Sequence, residues 1–584
     1  LVKNMWKIKA DFTAKINDKR DDAWDSDRNI PYRKGVDPVD MYLGWENYAQ
    51  KADARTIYTS LNLYTDFHLD LDKHSFTVIG GYSQEYENYN YFLAKRKDLI
   101  TDTYPTVQLA TGDMTIKEDD YTWAIRSAFY RLNYIYDNKY IIETNGRYDG
   151  TSRFPHKDRF GFFPSVSAAW IFTQEDFLKS TEDWFNHGKL RISYGALGNQ
   201  NVGYYSYIAT MTANKMDYLL NGGKLMGVYK PGLVSEALTW EKVYTLNGGI
   251  DLNFLSNRLI LSGDVYRRDT RDMLTKGKTL PSVLGTSEPK INAADLKTRG
   301  WEVSVAWRDR FELASKPFNY SARFILSDSR SWITRFDNPT RYLGDKYEGQ
   351  ELGEIWGLVT EGFFKDQADI DSHADQSQVV AYPGDRPLEP GDLKYKDLND
   401  DGKISRGSNT VDDPGDFKVI GNDRSRYLYG LDLNADWNGF DLRILFQGVG
   451  KRDWYPTGYK FFGIYLAPWG NVYENNLDHW TPENTDAYFP RLKSYLANGA
   501  GDMSIAQTRY LQNAAYLRLK NITFGYSLPK QLLQKVKLEN LRIYFSGENL
   551  FEATPLCKNY DPEQLDQTTH PLQRTYSVGL NITF

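Results

Sequence analysis

The stretch Asp397 to Ser405 reads DLNDDGKIS and has the spacing of a calcium loop. In an EF-hand the first, third and fifth residues supply side-chain oxygens, the sixth is a turn glycine and the seventh gives a backbone carbonyl. Asp397, Asn399, Asp401, Gly402 and Lys403 occupy those places. The twelfth place, where an EF-hand has a bidentate Glu, is Ser408, and the flanks read as loop rather than paired helices, so a calcium sensor is excluded. Two readings stay open. In one, Asp397, Asn399, Asp401 and the Lys403 carbonyl hold a structural Ca²⁺, with Asp412, Asp413 or Asp416 folding back as a late ligand. In the other, an acidic turn is closed by Asx hydrogen bonds with Gly402 at positive φ.

A second cluster is aromatic. In KRDWYPTGYKFFGIYLAPWG, the residues Trp454, Tyr455, Tyr459, Phe461, Phe462, Tyr465 and Trp469 offer flat apolar faces beside polar edges, which suits sugar rings or peptide side chains. The competing reading is that these rings pack the loop itself or form a partner interface. Covalent chemistry has little support. The seven histidines are scattered, and the chain has no zinc-protease helix motif, phosphate loop or nucleophile elbow. Its one cysteine, Cys557, has no partner for a disulfide or a zinc site.

Composition narrows the class of element that must position these residues. Aromatics make up 15% of the chain, with 43 Tyr and 15 Trp, and no apolar run approaches the roughly 20 residues of a membrane helix. The mean hydropathy of −0.60 is compatible with a transmembrane barrel, which needs apolar residues only at alternate positions and carries long polar loops outside. A formal charge of −6 leaves no basic surplus to neutralise phosphates, which argues against nucleic acid as a partner. The N-terminal LVKNMWKIKADF has no secretory-signal pattern and reads as part of a strand.

The dominant pattern has period two. Trp6, Ile8, Ala10, Phe12, Ala14 and Ile16 share one face of WKIKADFTAKI, and Lys7, Lys9, Asp11, Thr13 and Lys15 share the other. Leu431, Leu433, Ala435 and Trp437 run into Asn438-Gly439, and Phe440, Leu442, Ile444 and Phe446 run away from it, the signature of a hairpin with a type I′ turn. Further hairpins are expected at Asp72-Lys73, Asp137-Asn138 and Ser256-Asn257, between strands of about ten residues, enough to cross a bilayer at a tilt. The apolar phase slips between Leu519 and Ile522, which predicts a bulge. EDFLKSTEDWF and PKQLLQKV read as short helices, the second with Pro529 suited to a first turn.

Tight turns alternate with long polar connections, notably from about Asp337 to Asp423 and from about Lys451 to Ala514. The count is about sixteen strands. The fold class is therefore all-β: a transmembrane antiparallel β-barrel with short periplasmic turns and long extracellular loops. A soluble propeller or sandwich is disfavoured by strand length, by aromatics at strand ends, and by the unprotected final run Tyr576, Val578, Leu580, Ile582 and Phe584. Charge on a lipid face costs about 2–4 kcal/mol per Arg or Lys at mid-membrane, so the polar strand faces are assigned to a wet lumen.

Several stretches resemble, in order, signatures of the SusC/RagA family of TonB-linked outer-membrane transporters of Bacteroidetes. They are RYDGTSRF at Arg147–Phe154, FFPSVSAAW at Phe162–Trp170, LRISYGALGNQNVG at Leu190–Gly203, then WEKVYTLNGGIDLNFLSNRLILSGDVYRRDTRDML, GDLKYKDLNDDGKI, YLRLKNITFGYSLP and finally NYDPE at Asn559–Glu563. The final strand ending in Phe584 also resembles the assembly signal of outer-membrane barrels. The resemblance implies a plugged barrel of about 22 strands that imports large nutrients with energy from the TonB complex. It places this chain as the C-terminal barrel portion, residues 1–584, with the plug, the TonB-contacting segment and about six first strands expected in an upstream segment or separate chain. It also implies a SusD-like surface lipoprotein as partner, an outer membrane of a Gram-negative, Bacteroidetes-like bacterium as location, no enzymatic activity, and oligosaccharides as cargo, with oligopeptides as the alternative. Readings from other classes are a surface binding protein or adhesin without transport, and an outer-membrane barrel hydrolase.

Overall fold

The computed structural model describes the chain apart from residues 1–4, 26–28, 35–36, 43–46, 236, 278–280, 282, 284–285, 287, 380–386, 467–470, 494–500, 566–569 and 571. Sixteen long strands follow one another in a single sheet, each beside its neighbours in sequence. They are β1 (Trp6–Asp25), β2 (Tyr48–Leu71), β3 (His74–Lys97), β4 (Met114–Tyr136), β5 (Tyr140–Thr151), β6 (Phe160–Ile171), β7 (Phe185–Asn199) and β8 (Glu241–Phe254). The second eight are β9 (Leu259–Lys276), β10 (Lys290–Leu313), β11 (Lys316–Arg335), β12 (Arg426–Trp437), β13 (Phe440–Lys451), β14 (Tyr516–Ser527), β15 (Asn540–Ala553) and β16 (Thr575–Thr583). No helix among the described residues is long and apolar enough to cross a membrane.

The predicted hairpins form where the chain can take positive φ. Asp137 and Asn138 (51° and 55°), Ser256 and Asn257 (57° and 62°), and Asn438 and Gly439 (48° and 91°) sit in that region in pairs, as type I′ turns require, whereas at Asp72-Lys73 only Asp72 (49°) does. Ala314 and Ser315, at 51° and 60°, make the same turn without the residues that would have announced it. The register of β14 against β15 shifts between Leu519 and Asn521, where the slipped phase predicted a bulge. The two short helical stretches are present in tighter form: 3₁₀ turns at Phe172–Gln174 and Asp176–Thr181, and an α-turn Lys530–Leu533 followed by 3₁₀ Gln534–Val536.

Strand length departs from expectation. β2 and β3 are each 24 residues long and β4 is 23, against the expected ten or so. The residues of β3 explain the excess. Near its turn one face carries Phe76 and Val78, and farther along the same face carries Tyr82, Gln84, Tyr86, Asn88 and Asn90. Backbone pairing runs the full length of β3, from Leu71↔His74 to Tyr48↔Lys97, past the point where polar residues enter this face.

The chain divides into two compact units. The first comprises residues 1–168, 193–244 and 271–293. There β1 pairs with β2 from Trp6↔Phe67 to Asp25↔Tyr48, which turns Ile8, Phe12 and Ile16 outward at 76%, 69% and 61% exposure. A small core of Phe154, Phe163, Val202, Leu238 and Trp240 lies at the long-connection end of this unit. It accounts for the signature stretches physically: RYDGTSRF contributes Phe154, FFPSVSAAW contributes Phe163, and LRISYGALGNQNVG contributes Val202. Gly198 is required there, because a Cβ would stand 2.2 Å from the Phe163 ring.

The second unit comprises residues 169–192, 245–270 and 294–584. Its principal core lies not in the sheet but among the connections. Leu358, Leu393, Tyr395, Ile404, Phe461, Phe462, Phe489 and Tyr510, together with Leu556 and Tyr560, pack into one cluster. Residues from 354–422, 452–515 and 554–565 therefore fold together, although composition marked the two longer ones as irregular. At the last strand, Tyr576, Val578, Leu580 and Ile582 alternate outward at 64%, 79%, 60% and 46% exposure.

Candidate functional site

The acidic turn closes on itself. Asp397 accepts the backbone N–H of Asp400 at 2.7 Å through Oδ1 and that of Gly402 at 2.8 Å through Oδ2. Asn399 accepts from Asp401 N, and Asp401 accepts from Lys403 N at 2.8 Å, with the Asn399 amide on its other oxygen. Gly402 takes φ +78°, and Ile404 then enters the core, fully buried. Desolvation alone would raise Asp397, but the backbone donors from Gly402 and Asp400 hold its carboxyl below the usual range.

The late ligands of the calcium reading are committed elsewhere. Asp412 pairs with Arg341 at 2.8 Å, Asp413 caps Ser408, and Asp416 accepts from Leu398 N and Ser405 N. Among the described residues, no group of three or more His, Cys, Asp or Glu side chains is placed to hold a metal ion. Asp412, Asp413 and Asp416 thus do not fold back onto Asp397, Asn399 and Asp401 here. Asp412 is drawn away by the Arg341 charge, and the geometry is that of the Asx-closed turn.

The aromatic run is divided by burial. Phe461 is 1% exposed and Phe462 and Tyr465 are equally interior, so these rings have no face to offer a ligand. Phe461 meets Phe462 edge-on at 4.8 Å, and the Tyr465 hydroxyl donates to the Pro490 carbonyl at 2.9 Å. Trp454 packs edge-on against Tyr560 at 4.7 Å, and the Tyr455 hydroxyl donates to the Ile505 carbonyl at 2.8 Å. Tyr459 is 44% exposed and keeps an open ring. Trp469 lies outside the described residues. Packing of the connections, the alternative considered for this run, explains Phe461, Phe462 and Tyr465 in full.

A site that spacing did not reveal is the charge cluster under NYDPE. Arg518 on β14, 1% exposed, reaches Asp561 at 2.8 Å and Glu563 at 3.3 Å and also contacts Glu552 on β15. Lys520 joins Glu563 at 2.5 Å. Three carboxylates from two segments compensate one buried guanidinium, which fixes the β15–β16 connection to the sheet. The signal was present in YLRLK, where Arg518 and Lys520 alternate on one face, but nothing local names their partners.

Near the tight turns of the second unit, a cavity of about 890 Å³ is lined by Arg258, Arg308, Asp309, Asp436, Arg443 and Arg542 among other polar residues. Arg443 pairs with Asp432 at 3.0 Å and Arg542 with Asp441. Farther along the same unit, Arg191 is held by Asp251 and Asp264 at 2.8 and 2.7 Å. These groups occupy the strand face opposite the exposed Ile192, Ile250 and Val265, so the polar assignment of that face holds across these strands.

Comparison with known proteins agrees with this geometry. The profile described as "TonB dependent receptor-like, beta-barrel" matches residues 4–378. TonB-dependent receptor P3 of Formosa agariphila is 28% identical over 556 residues, covering 89% of this chain and 52% of that protein. TonB-dependent receptor SusC of Bacteroides thetaiotaomicron is 25% identical, covering 93% of this chain and 51% of its own length. The chain thus spans about half the length of the curated relatives it matches. A solved structure of the RagAB peptide transporter superposes with a TM-score of 0.80 at 22% identity, over 100% of this chain and 60% of that one, which is a likeness of fold.

Proposed function

The chain belongs to the TonB dependent receptor-like β-barrel family, in its SusC/RagA branch, and on that premise we propose that it is the barrel portion of an outer-membrane importer of large nutrients. The observation that carries the reading is the sequential sixteen-strand sheet with one apolar, outward face, since lipid is the environment in which such a face is favourable. The opposite face, polar and charged, would line the passage. The plug, the segment touched by the TonB complex and the remaining strands would come from an upstream part of the receptor.

The folded connections of the second unit offer a preformed surface for a SusD-like lipoprotein that captures cargo before it enters. Oligosaccharides are the cargo we propose, oligopeptides being the alternative within the same family. The test is growth of a strain lacking this receptor on oligosaccharide mixtures and on peptide mixtures, with cell attachment measured alongside. Loss of growth on oligosaccharides with attachment unchanged is expected. Unchanged growth with lost attachment would favour an adhesin.

A further inference from the structure

We propose that the polar face of β2–β4 carries a stacking platform for a sugar ring, built on Tyr89 and Tyr91, backed by Tyr121 and rimmed by Asp119. The proposal rests on the reading of the protein as an oligosaccharide importer and gives that cargo a place on the strands.

Register sets the platform out. One cross-strand row runs Asn17, Thr56, Tyr89, Tyr121, and the next runs Lys19, Ala54, Tyr91, Asp119. Directly paired residues project from the same side of a sheet, so both rows lie on one face. The Tyr89 and Tyr91 rings are parallel within 7° at 6.5 Å, and Tyr89 and Tyr121 stack at 4.7 Å. On the β2 side the two β3 tyrosines are paired with Thr56 and Ala54, side chains too short to wall the rings off. The exposed Lys19 stands beyond Ala54 on the β1 side of this row, and the exposed Asp119 stands beside Tyr91 on the β4 side.

The chain itself supplies a ring at the other end of the ladder. Tyr204, from the β7–β8 connection, lies face to face with Tyr121 at 3.9 Å and 10°. Arg153 holds it there, with its guanidinium 4.4 Å from the ring centre and Nη2 donating to the phenol oxygen at 3.2 Å. The ladder is thus closed by Tyr204 at one end and terminates at Tyr91 at the other.

The face excludes a peptide bound as an added strand and suits a sugar ring. Backbone groups along these strands are consumed by sheet pairing, so the face offers side chains only and cannot add a peptide as an extra strand. Tyrosine faces accept the C–H surface of a pyranose, and Asp119 accepts its hydroxyls.

The test uses the receptor purified from outer membranes, probed with a panel of defined plant, algal and animal oligosaccharides and, separately, with a tryptic digest of casein. Binding of a glycan is expected, weakened about five- to tenfold by Tyr91→Ala and kept within about twofold by Tyr91→Phe, which preserves the ring. Asp119→Ala, at an exposed position where folding is not at stake, should weaken the same glycan. Glycan binding indifferent to Tyr91→Ala would overturn the platform and leave the importer reading standing. Capture of casein peptides with no glycan bound, or of neither probe, would overturn both.

Discussion

Arg518 and Asp561 meet at 2.8 Å with the guanidinium 1% exposed, a buried ion pair joining β14 to the connection that follows β15. Removing the cation leaves Asp561 buried without its partner while Lys520 still holds Glu563, so Arg518→Met should destabilise this attachment by about 3 kcal/mol. Hydrogen exchange at residues 559–563 is the readout, with the hairpin β12–β13 as internal control. Unchanged protection at 559–563 would show that the pair is dispensable.

The core of the connections makes a second prediction. Phe462 is fully buried, and Phe462→Ala should cost the assembled connections about 3–5 kcal/mol. Tyr459, three residues earlier and 44% exposed, should tolerate Ala within about 0.5 kcal/mol. Limited proteolysis of the two variants compares them directly. Equal resistance would mean that the connections do not fold as one cluster.

A pH dependence follows from Asp369. The Lys394 ammonium, at 2.7 Å, and the Lys365 N–H hold its carboxyl below the usual value of 3.8. A depressed carboxylate contributes stability that is complete above the ordinary pKa and is lost as pH falls from there through the folded value. Protease resistance around residues 365–371 should therefore decline below about pH 4, and Asp369→Asn should flatten that decline. A decline of the same size in the Asn variant would assign the effect to other carboxylates.

Asp397 tests the acidic turn. Protection of the Asp400 and Gly402 amides should be lost in Asp397→Ala and should not change when calcium is added to chelated protein. Slower exchange on adding calcium would restore the ion as a clamp on this turn.

How far the sequence spoke depended on the range of the interactions. Alternation and turn residues act over a few positions, so Asn438-Gly439, Asp137-Asn138 and the bulge after Leu519 could be read directly. The Ala314-Ser315 turn could not, since neither residue has a preference for positive φ. The EF-hand spacing was local as well, but its decisive feature was not: Asp412 is directed by Arg341, far away in sequence. Likewise, the aromatic run from Trp454 to Trp469 gives no sign of which rings are interior, because Phe461 is buried by Phe489 and Tyr510 from a distant part of its connection. The Tyr89, Tyr121 and Tyr204 ladder was invisible for the same reason, with register and a docked connection bringing the rings together.

The most direct test of the account is uptake of a labelled oligosaccharide mixture by cells that carry the receptor, measured before and after collapse of the proton-motive force. The account predicts accumulation inside energised cells and only surface binding after collapse, with neither in cells lacking the receptor. Surface binding without accumulation in energised cells, or accumulation that is indifferent to collapse, would contradict it.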